Sequence, residues 1–494
     1  MPGFFPQRLS LCLILALLLG ACQATLERPY SEQTRIVRES LPSSCSDGIR
    51  LFREDVKRND ALDASTPALG FFPLLHSNRF LHTLALWVQS QEELSEWTTL
   101  LAELAIEVRA AENRNLNSPW SEEALGDLAE CSRIFSSSAE FREERRAILD
   151  TMSRADFPDE YSRGLQTLGA LPLLRPFLKP RILAEHAKER SMYFEEETFT
   201  HSSLYRLERE QSVEVDVAEW MRTAYGNNAL QLPLLRKTQL DALFDKHAPG
   251  LQIELLDVND KIGEPRWQAG QVIIDTENPV VYSLPSMTRF EGRNLLQLNY
   301  VFWFPERKPV ALIDLYAGKV DSIIWRVTLD EGGRVMFYDS IHSCGCYHKY
   351  FAVADELKVK AQPTSREPAN IFYLDRMLLS GGLDLKITGN EHFIVGIEPS
   401  MEQTEASAEV QRHGYQLTPY TLLKNLDTAS GSRSLFDARG LIPGSERLER
   451  FTLWPTGIPS VGAMRQWGTH ATGFIQEQQF DDSNLFENYF ETQP

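Results

Sequence analysis

Cysteine is scarce in this sequence, and long apolar runs are nearly absent from it. Among 494 residues there are six cysteines, and beyond the first 22 residues no apolar stretch is long enough to cross a bilayer as a helix, which takes about 20 residues. The sequence also lacks an H-E-x-x-H zinc helix, a Walker A loop, a G-x-G-x-x-G turn, a C-x-x-C-H haem attachment and an EF-hand loop. Nucleotide-driven chemistry is therefore not indicated.

Positive charge is in deficit as well. The chain has 50 lysines and arginines against 69 aspartates and glutamates, which gives a formal net charge of −19. A chain with this charge repels the phosphate backbone of nucleic acids and the surface of anionic lipids. We therefore expect no nucleic-acid partner, and we interpret the acidity as a contribution to solubility.

The first 21 residues have the organisation of an export signal. Arg8 precedes an apolar run, Leu9–Leu19, that is too short to span a bilayer. The run closes on the tetrapeptide Leu-Gly-Ala-Cys, ending at Cys22, which resembles the lipobox of bacterial lipoproteins. The resemblance implies that residues 1–21 are a signal peptide and that Cys22 becomes the lipid-bearing first residue of the mature chain. The alternative is ordinary cleavage after Ala21, with no lipid.

The residue after the lipobox bears on location. Gln23 stands where an aspartate would be expected in a Gram-negative lipoprotein kept at the inner membrane. The pattern resembles that of lipoproteins sorted to the outer membrane, whose acyl chains, palmitate among them, hold the protein on the bilayer. We therefore expect a protein anchored by lipid to the outer membrane and facing the periplasm.

The mature sequence begins with a tether and a helical part. Residues 22–35 are mainly polar, and their apolar residues follow no regular spacing. We interpret them as a tether between the lipid and the folded part of the chain. Residues 36–225 have mainly helical patterns. The clearest helix runs from Ser90 to Asn113, where Ser90 and Glu93 form a capping box and apolar residues recur every three or four positions. We interpret this part as an all-α region.

Residues 226–494 have the two-residue alternation of strands. It is clearest over Asn294–Phe304, and an Asp-Glu-Gly-Gly turn introduces Arg334–Ser340 as the second strand of a hairpin. Helical crossovers are scarce, so antiparallel pairing is expected. Residues 400–450 are polar and weakly periodic and are predicted to run over the surface. The predicted fold class is α+β, with an N-terminal all-α region followed by a mostly antiparallel β-rich domain.

The cysteines divide by their expected fate. Cys12 lies in the signal peptide and Cys22 takes the lipid. Cys45 and Cys131 lie in helical segments of a protein bound for an oxidising compartment, so a disulfide between them is predicted. Two separately buried thiols are the alternative.

The other two cysteines stand in a histidine- and cysteine-containing motif. His342, Cys344, Cys346 and His348 form the pattern H-x-C-x-C-x-H, symmetric about Gly345. In an extended strand these side chains would lie on one face at steps of roughly 6.6–6.8 Å, too far apart for one tetrahedral metal ion. A turn at the glycine could instead bring all four to bond lengths of about 2.0–2.3 Å from zinc or copper(I). The motif thus predicts a zinc or copper site.

Other interpretations of the motif remain open. Cys344 and Cys346 could close a C-x-C disulfide, either structural or labile, or could be unpaired and packed beneath the sheet. Common zinc sites leave two or more residues between cysteines, which weakens the metal hypothesis. Asp339, His392 and His470 are candidate supporting residues. If either histidine approached a thiol, the pair would suit a nucleophile and its base.

Two segments resemble a group of uncharacterised Gram-negative lipoproteins. One is Leu295–Tyr350, which contains Tyr338–His342 and Cys344–His348, and the other is Leu453–Phe480, which contains Arg465–Gly468. The resemblance implies an envelope location and no particular activity. The leading hypothesis is a metal-binding lipoprotein. The alternatives are a non-catalytic periplasmic interaction or scaffold protein with a C-x-C disulfide and an unidentified envelope partner, and a thiol- or metal-dependent hydrolase.

Overall fold

The computed structural model of the protein describes residues 42–195, 199–208, 216–353, 357–375, 382–400 and 410–493. The predicted signal peptide, Cys22 and the predicted tether lie outside these residues. Within the described ranges, no helix has both the length and the hydropathy needed to cross a bilayer.

Helices dominate the first part of the fold. In the described ranges they are α1 (Ser43–Arg58), α2 (Arg79–Leu84), α3 (Gln91–Arg114), α4 (Glu122–Ser137), α5 (Arg142–Met152), α6 (Arg163–Leu168), α7 (Leu171–Phe194), α8 (Val217–Gly226), α9 (Lys237–His247) and α10 (Arg450–Leu453). The predicted capping box begins α3. The Glu93 N–H donates to Ser90 Oγ at 3.1 Å, and the Ser90 N–H donates to Glu93 Oε2 at 2.7 Å. These bonds satisfy N–H groups that a helix start leaves unpaired.

Strands form most of the second part. In the described ranges they are β1 (Ala68–Leu69), β2 (Phe72–His76), β3 (Ser202–Leu207), β4 (Gly250–Glu254), β5 (Glu264–Gln268), β6 (Gln271–Asp275), β7 (Val280–Phe290), β8 (Arg293–Arg307), β9 (Gly318–Leu329), β10 (Val335–His342), β11 (Lys349–Val353), β12 (Leu357–Val359), β13 (Asn370–Leu374), β14 (Leu383–Ile387), β15 (Ile394–Pro399), β16 (Val410–Pro419), β17 (Leu426–Thr428), β18 (Gly431–Arg433) and β19 (Phe490–Thr492).

Eleven of these described strands form one sheet, in the order β13-β11-β10-β9-β8-β7-β16-β3-β4-β14-β15. From β7 to β11, each strand pairs antiparallel with its neighbour along the chain. Parallel pairs occur between β11 and β13, between β4 and β14, and where β16 joins β3 and β7. The α+β fold class is confirmed, with a mostly antiparallel sheet.

The prediction that residues 400–450 run over the surface is wrong for β16. This strand lies inside the sheet, where Val410–Tyr415 pairs with β3 and Gln416–Pro419 pairs with β7. Its sequence is polar, and most of its side chains are exposed or half-buried. Backbone hydrogen bonds rather than apolar side chains place it, so no alternating pattern marks it in the sequence. The sheet also takes in β3, from the segment predicted to be helical.

The predicted disulfide between Cys45 and Cys131 is confirmed. It joins α1 to α4, with the two Cα atoms 5.9 Å apart. Cys45 belongs to the apolar core of the helical part, together with the fully buried rings of Phe52, Trp97 and Phe135. The covalent link and the core therefore hold the same two helices.

Replacing Cys45 and Cys131 by serine should lower the free energy of unfolding by about 2–5 kcal/mol, because the link spans 86 residues of chain that gain freedom when unfolded. Urea unfolding of the variant and of the oxidised wild-type protein would measure the difference. Wild-type protein treated with a reductant serves as the control and should unfold like the variant. Equal stability of the reduced and oxidised wild-type protein would contradict the prediction.

Candidate functional site

The segment His342–His348 joins β10 to β11 through a tight turn. The Gly345 N–H donates to the His342 carbonyl at 2.8 Å, and the His342 N–H donates to the Cys346 carbonyl at 3.0 Å. Gly345 has a φ of 91°, and a Cβ there would collide with the carbonyl oxygen of Ala471. The chain thus reverses at this position, and both the dihedral angle and the close approach require glycine.

The turn places two thiols side by side. Cys344 and Cys346 are reduced, with only 7 and 8 % of their surfaces exposed. The Cys346 N–H donates to Cys344 Sγ at 3.4 Å. A hydrogen bond with Cys344, together with burial, raises the pKa of the Cys346 thiol well above its usual value. The structure therefore contains a pair of adjacent thiols here and no disulfide between them.

The two histidines of the motif contact different aspartates. His342 Nδ1 lies 3.7 Å from Asp321 Oδ1, whereas His348 Nε2 lies 2.9 Å from Asp339 Oδ2. Because Asp339 and His342 are three residues apart on β10, they lie on opposite faces of the sheet. In the part of the chain that is described, no three His, Cys, Asp or Glu side chains are grouped so that they could hold a metal ion. Of the four predicted ligands, the structure brings together the two thiols.

Asp339, a predicted supporting residue, orients the imidazole of His348. Arg326 donates to both of its carboxylate oxygens, at 2.8 and 2.5 Å, and stacks over Phe480 at 3.6 Å. Burial alone would raise the pKa of Asp339, but Arg326 and His348 hold it below its usual value. Burial lowers the pKa of His348, and its Nδ1 has no hydrogen-bond partner. The result is a neutral imidazole held by a carboxylate through Nε2.

His392, the second predicted supporting residue, belongs to a network on the other face of the sheet. Its Nδ1 is 2.8 Å from Asp321 Oδ2, its Nε2 is 3.5 Å from Asp260 Oδ1, and its ring stacks on Phe304 with centroids 3.8 Å apart. Burial opposes the charged form, but the two carboxylates raise the pKa of His392 above its usual value. Since Asp321 also contacts His342, four buried titratable groups form a continuous chain.

Three residues in or beside this chain of groups have a strained backbone conformation. Val320, Tyr347 and His392 have φ angles of 56°, 59° and 54°. Such a conformation costs a non-glycine residue roughly 1–3 kcal/mol and is least usual for a β-branched one. Val320 directly precedes Asp321, and the ring of Tyr347 lies 4.9 Å from that of His342. Clustered strain of this kind is typical of functional sites.

The segment Arg465–Gly468 packs against the turn. The Arg465 N–H donates to the Ser343 carbonyl at 2.8 Å, so the two segments that carry the sequence resemblance are neighbours. His470, the third predicted supporting residue, lies with its ring 6.2 Å from that of Trp467, and burial lowers its pKa to about 3. His470 is therefore a neutral, buried ring at neutral pH.

A cavity of about 430 Å³ opens beside the turn. Its lining includes Cys346, Tyr347, His348, Tyr350, Glu367 and Glu449. Burial raises the pKa values of Glu367 and Glu449 to about 7. Neither glutamate was predicted from the sequence, because both are distant from the motif along the chain and stand in no motif of their own. The Cys346 thiol therefore lines the same cavity as two carboxyl groups whose pKa values lie near neutral pH.

The stability of the protein should depend on pH through His392. Because its pKa is raised in the folded state, the charged imidazole contributes stability that is fully present below the unfolded value, about 6.5, and is lost as the pH rises through the folded value. In the His392→Gln variant, the free energy of unfolding should fall less above about pH 6.5 than it does in the wild-type protein. Denaturant unfolding across a pH series would measure it.

The matched control for this experiment is His201→Gln, at an exposed histidine. It should keep the wild-type pH dependence. A His392→Gln variant with the same pH dependence as the wild-type protein would rule out this role of His392.

No family model matches the chain, and it matches neither a curated protein nor a solved structure. The resemblance to envelope lipoproteins stays a prediction, and the site has to be interpreted from its own residues.

Proposed function

We propose that this chain is a lipid-anchored envelope protein, attached to the outer membrane through Cys22 and facing the periplasm, that binds copper(I) through Cys344 and Cys346. The observation that carries the copper proposal is the side-chain hydrogen bond between the two buried thiols on either side of Gly345. Thiolate sulfur is the donor type that copper(I) prefers. Cys346 also lines the cavity, which provides a route to its sulfur atom.

The donor set favours copper(I) over zinc. Structural zinc is almost always held by four ligands, whereas no three His, Cys, Asp or Glu side chains of the described residues are grouped so that they could hold a metal ion. A monovalent soft ion can be held by two thiolates, with the two thiol protons released on binding. The two thiolates and the ion together would carry one negative charge. The guanidinium of Arg465, which favours the Cys346 thiolate, would offset part of it.

The wild-type chain, reduced and kept free of oxygen, should bind one equivalent of copper(I) in competition with bicinchoninate. Cys344→Ser and Cys346→Ser should each lose this equivalent, since one thiolate is too few donors. His342→Asn and His348→Asn are the matched variants within the same turn and should keep it. Copper-to-protein ratios after desalting, together with the bicinchoninate absorbance, give the measurement.

Each result of the copper titration has a defined meaning. Failure of the wild-type chain to compete for copper, or retention of copper by either serine variant, refutes the two-thiol site. Loss of copper from the histidine variants as well would instead support the four-ligand arrangement that the sequence motif predicts.

A second candidate function is a thiol-dependent hydrolase. One observation favours it, namely that Cys346 and His348 line the same cavity while Asp339 holds the imidazole through Nε2 and Nδ1 is unpartnered. In such an enzyme the imidazole takes the thiol proton, the thiolate attacks an acyl carbonyl and expels an amine or alcohol, and water then releases the acid. The raised pKa of Cys346 opposes this function, because little thiolate exists at neutral pH.

Alkylation of the thiols by iodoacetamide separates the two candidates. For a hydrolase, the alkylation rate of Cys346 should level off near neutral pH, and Asp339→Asn should slow it by about tenfold or more. Peptide mass spectrometry would assign the modified residue, and His470→Asn serves as a control for a buried histidine next to the turn. A rate that is low at neutral pH and rises only in alkali would contradict the hydrolase.

A further inference from the structure

One segment of this acidic protein is basic and contains no acid. Between Glu160 and Glu185 the sequence has no aspartate or glutamate. Its basic residues are Arg163, Arg175, Lys179 and Arg181. This segment forms α6 and the first half of α7. The net charge of the whole chain therefore conceals a local positive surface.

The same segment exposes large apolar side chains. Leu168, Leu173 and Phe177 have 65, 73 and 72 % of their surfaces exposed. Leu173 and Phe177 are four residues apart on α7, so they lie on one face of the helix. Arg181, four residues after Phe177, is exposed on the same face. Apolar and cationic side chains thus share one solvent-facing surface.

Two other segments expose apolar side chains next to α7. In the loop between β8 and β9, Val310 and Ile313 are largely exposed and Leu312 is fully exposed. In and beside α10, Leu448 and Phe451 are also exposed. Single exposed apolar residues are ordinary on a protein surface, but several on adjoining segments indicate an interaction site.

All three segments contribute side chains to the lining of the cavity. Leu178 of α7, Leu315 of the β8–β9 loop and Leu453 of α10 all line it. The Glu449 N–H donates to the Leu315 carbonyl at 3.0 Å and joins two of the segments directly. We call the exposed apolar residues of these segments the apolar rim. It consists of Leu173, Phe177, Leu312, Ile313 and Phe451.

We propose that the apolar rim docks on the surface of a bilayer that contains anionic phospholipid, so that the cavity faces the lipid. Apolar side chains beside lysine and arginine are the combination by which protein segments lie in a membrane interface. The positive charge of the rim's helix complements anionic headgroups, which the remainder of this acidic chain repels.

The length of chain before the described residues is compatible with this docking. If Cys22 carries the proposed lipid, the 20 residues from there to Pro42 reach at most about 70 Å when fully extended. The rim would then remain within reach of the bilayer that holds the anchor. The inference does not depend on copper binding or on thiol chemistry, and its test measures neither.

The test uses the full chain reconstituted into vesicles of phosphatidylethanolamine and phosphatidylglycerol, with or without bromine on the acyl chains. Leu312→Trp places a reporter on the rim, and Leu51→Trp, at an exposed leucine of α1, is the matched control. The fluorescence added by each tryptophan is obtained by subtracting that of the wild-type chain. Brominated lipid should quench the Leu312→Trp signal about twofold more than the Leu51→Trp signal.

Two further arms test the charge and the reporter. Adding Arg181→Gln to Leu312→Trp, or replacing phosphatidylglycerol by phosphatidylcholine, should reduce the quenching. Ile313→Trp should be quenched to the same extent as Leu312→Trp. Agreement between the two variants would show that the result does not depend on the position of a single reporter. Equal quenching at the rim and at the control position, or no quenching at the rim, would overturn the docking. Quenching that is unchanged in phosphatidylcholine vesicles would overturn the requirement for anionic lipid.

Discussion

The buried ion pair between Arg326 and Asp339 is the interaction on which the arrangement around the turn depends. The two residues lie directly opposite each other on β9 and β10, and both are almost completely buried. Removing one partner of such a pair typically costs about 3–5 kcal/mol, because the other charge is left without compensation. Arg326 also donates to the Phe480 carbonyl, and Asp339 holds His348. One pair thus fixes two central strands, the C-terminal segment and an imidazole at the cavity.

The buried aspartates on the two faces of these strands are held ionised by different partners. On one face, Arg326 supplies a permanent positive charge that keeps Asp339 ionised and allows His348 to remain neutral. On the other face, Asp321 is held ionised by His342 and His392, against the effect of burial. Period-two alternation along β9 and β10 lets two such networks lie within a few residues of each other without sharing a group. The turn that carries the thiols connects the strand ends where both networks terminate.

Local patterns predicted much of the fold. The capping box of α3 and the existence of β8 to β10 follow from a few adjacent residues, and both were confirmed, although these strands are buried on both faces rather than mainly on one. β16 was missed, because its place depends on backbone pairing with strands that are distant in sequence. The reversal at Gly345 could be anticipated from the residue type, but the separation of His342 from His348 could not, because it depends on Asp321. The net charge of the whole chain was misleading in a similar way. A sum over all residues does not show that α6 and the first half of α7 contain basic residues and no acidic ones.

The asymmetry of the two sulfur atoms has a kinetic consequence. Cys346 lines the cavity, whereas Cys344 is not part of its lining, and the Ala471 carbonyl closes against the glycine between them. A small reagent that diffuses in through the cavity would meet the two sulfurs in sequence, Cys346 before Cys344. Reaction at this pair would therefore be ordered rather than random. The reagent would react first with Cys346 and only afterwards with Cys344.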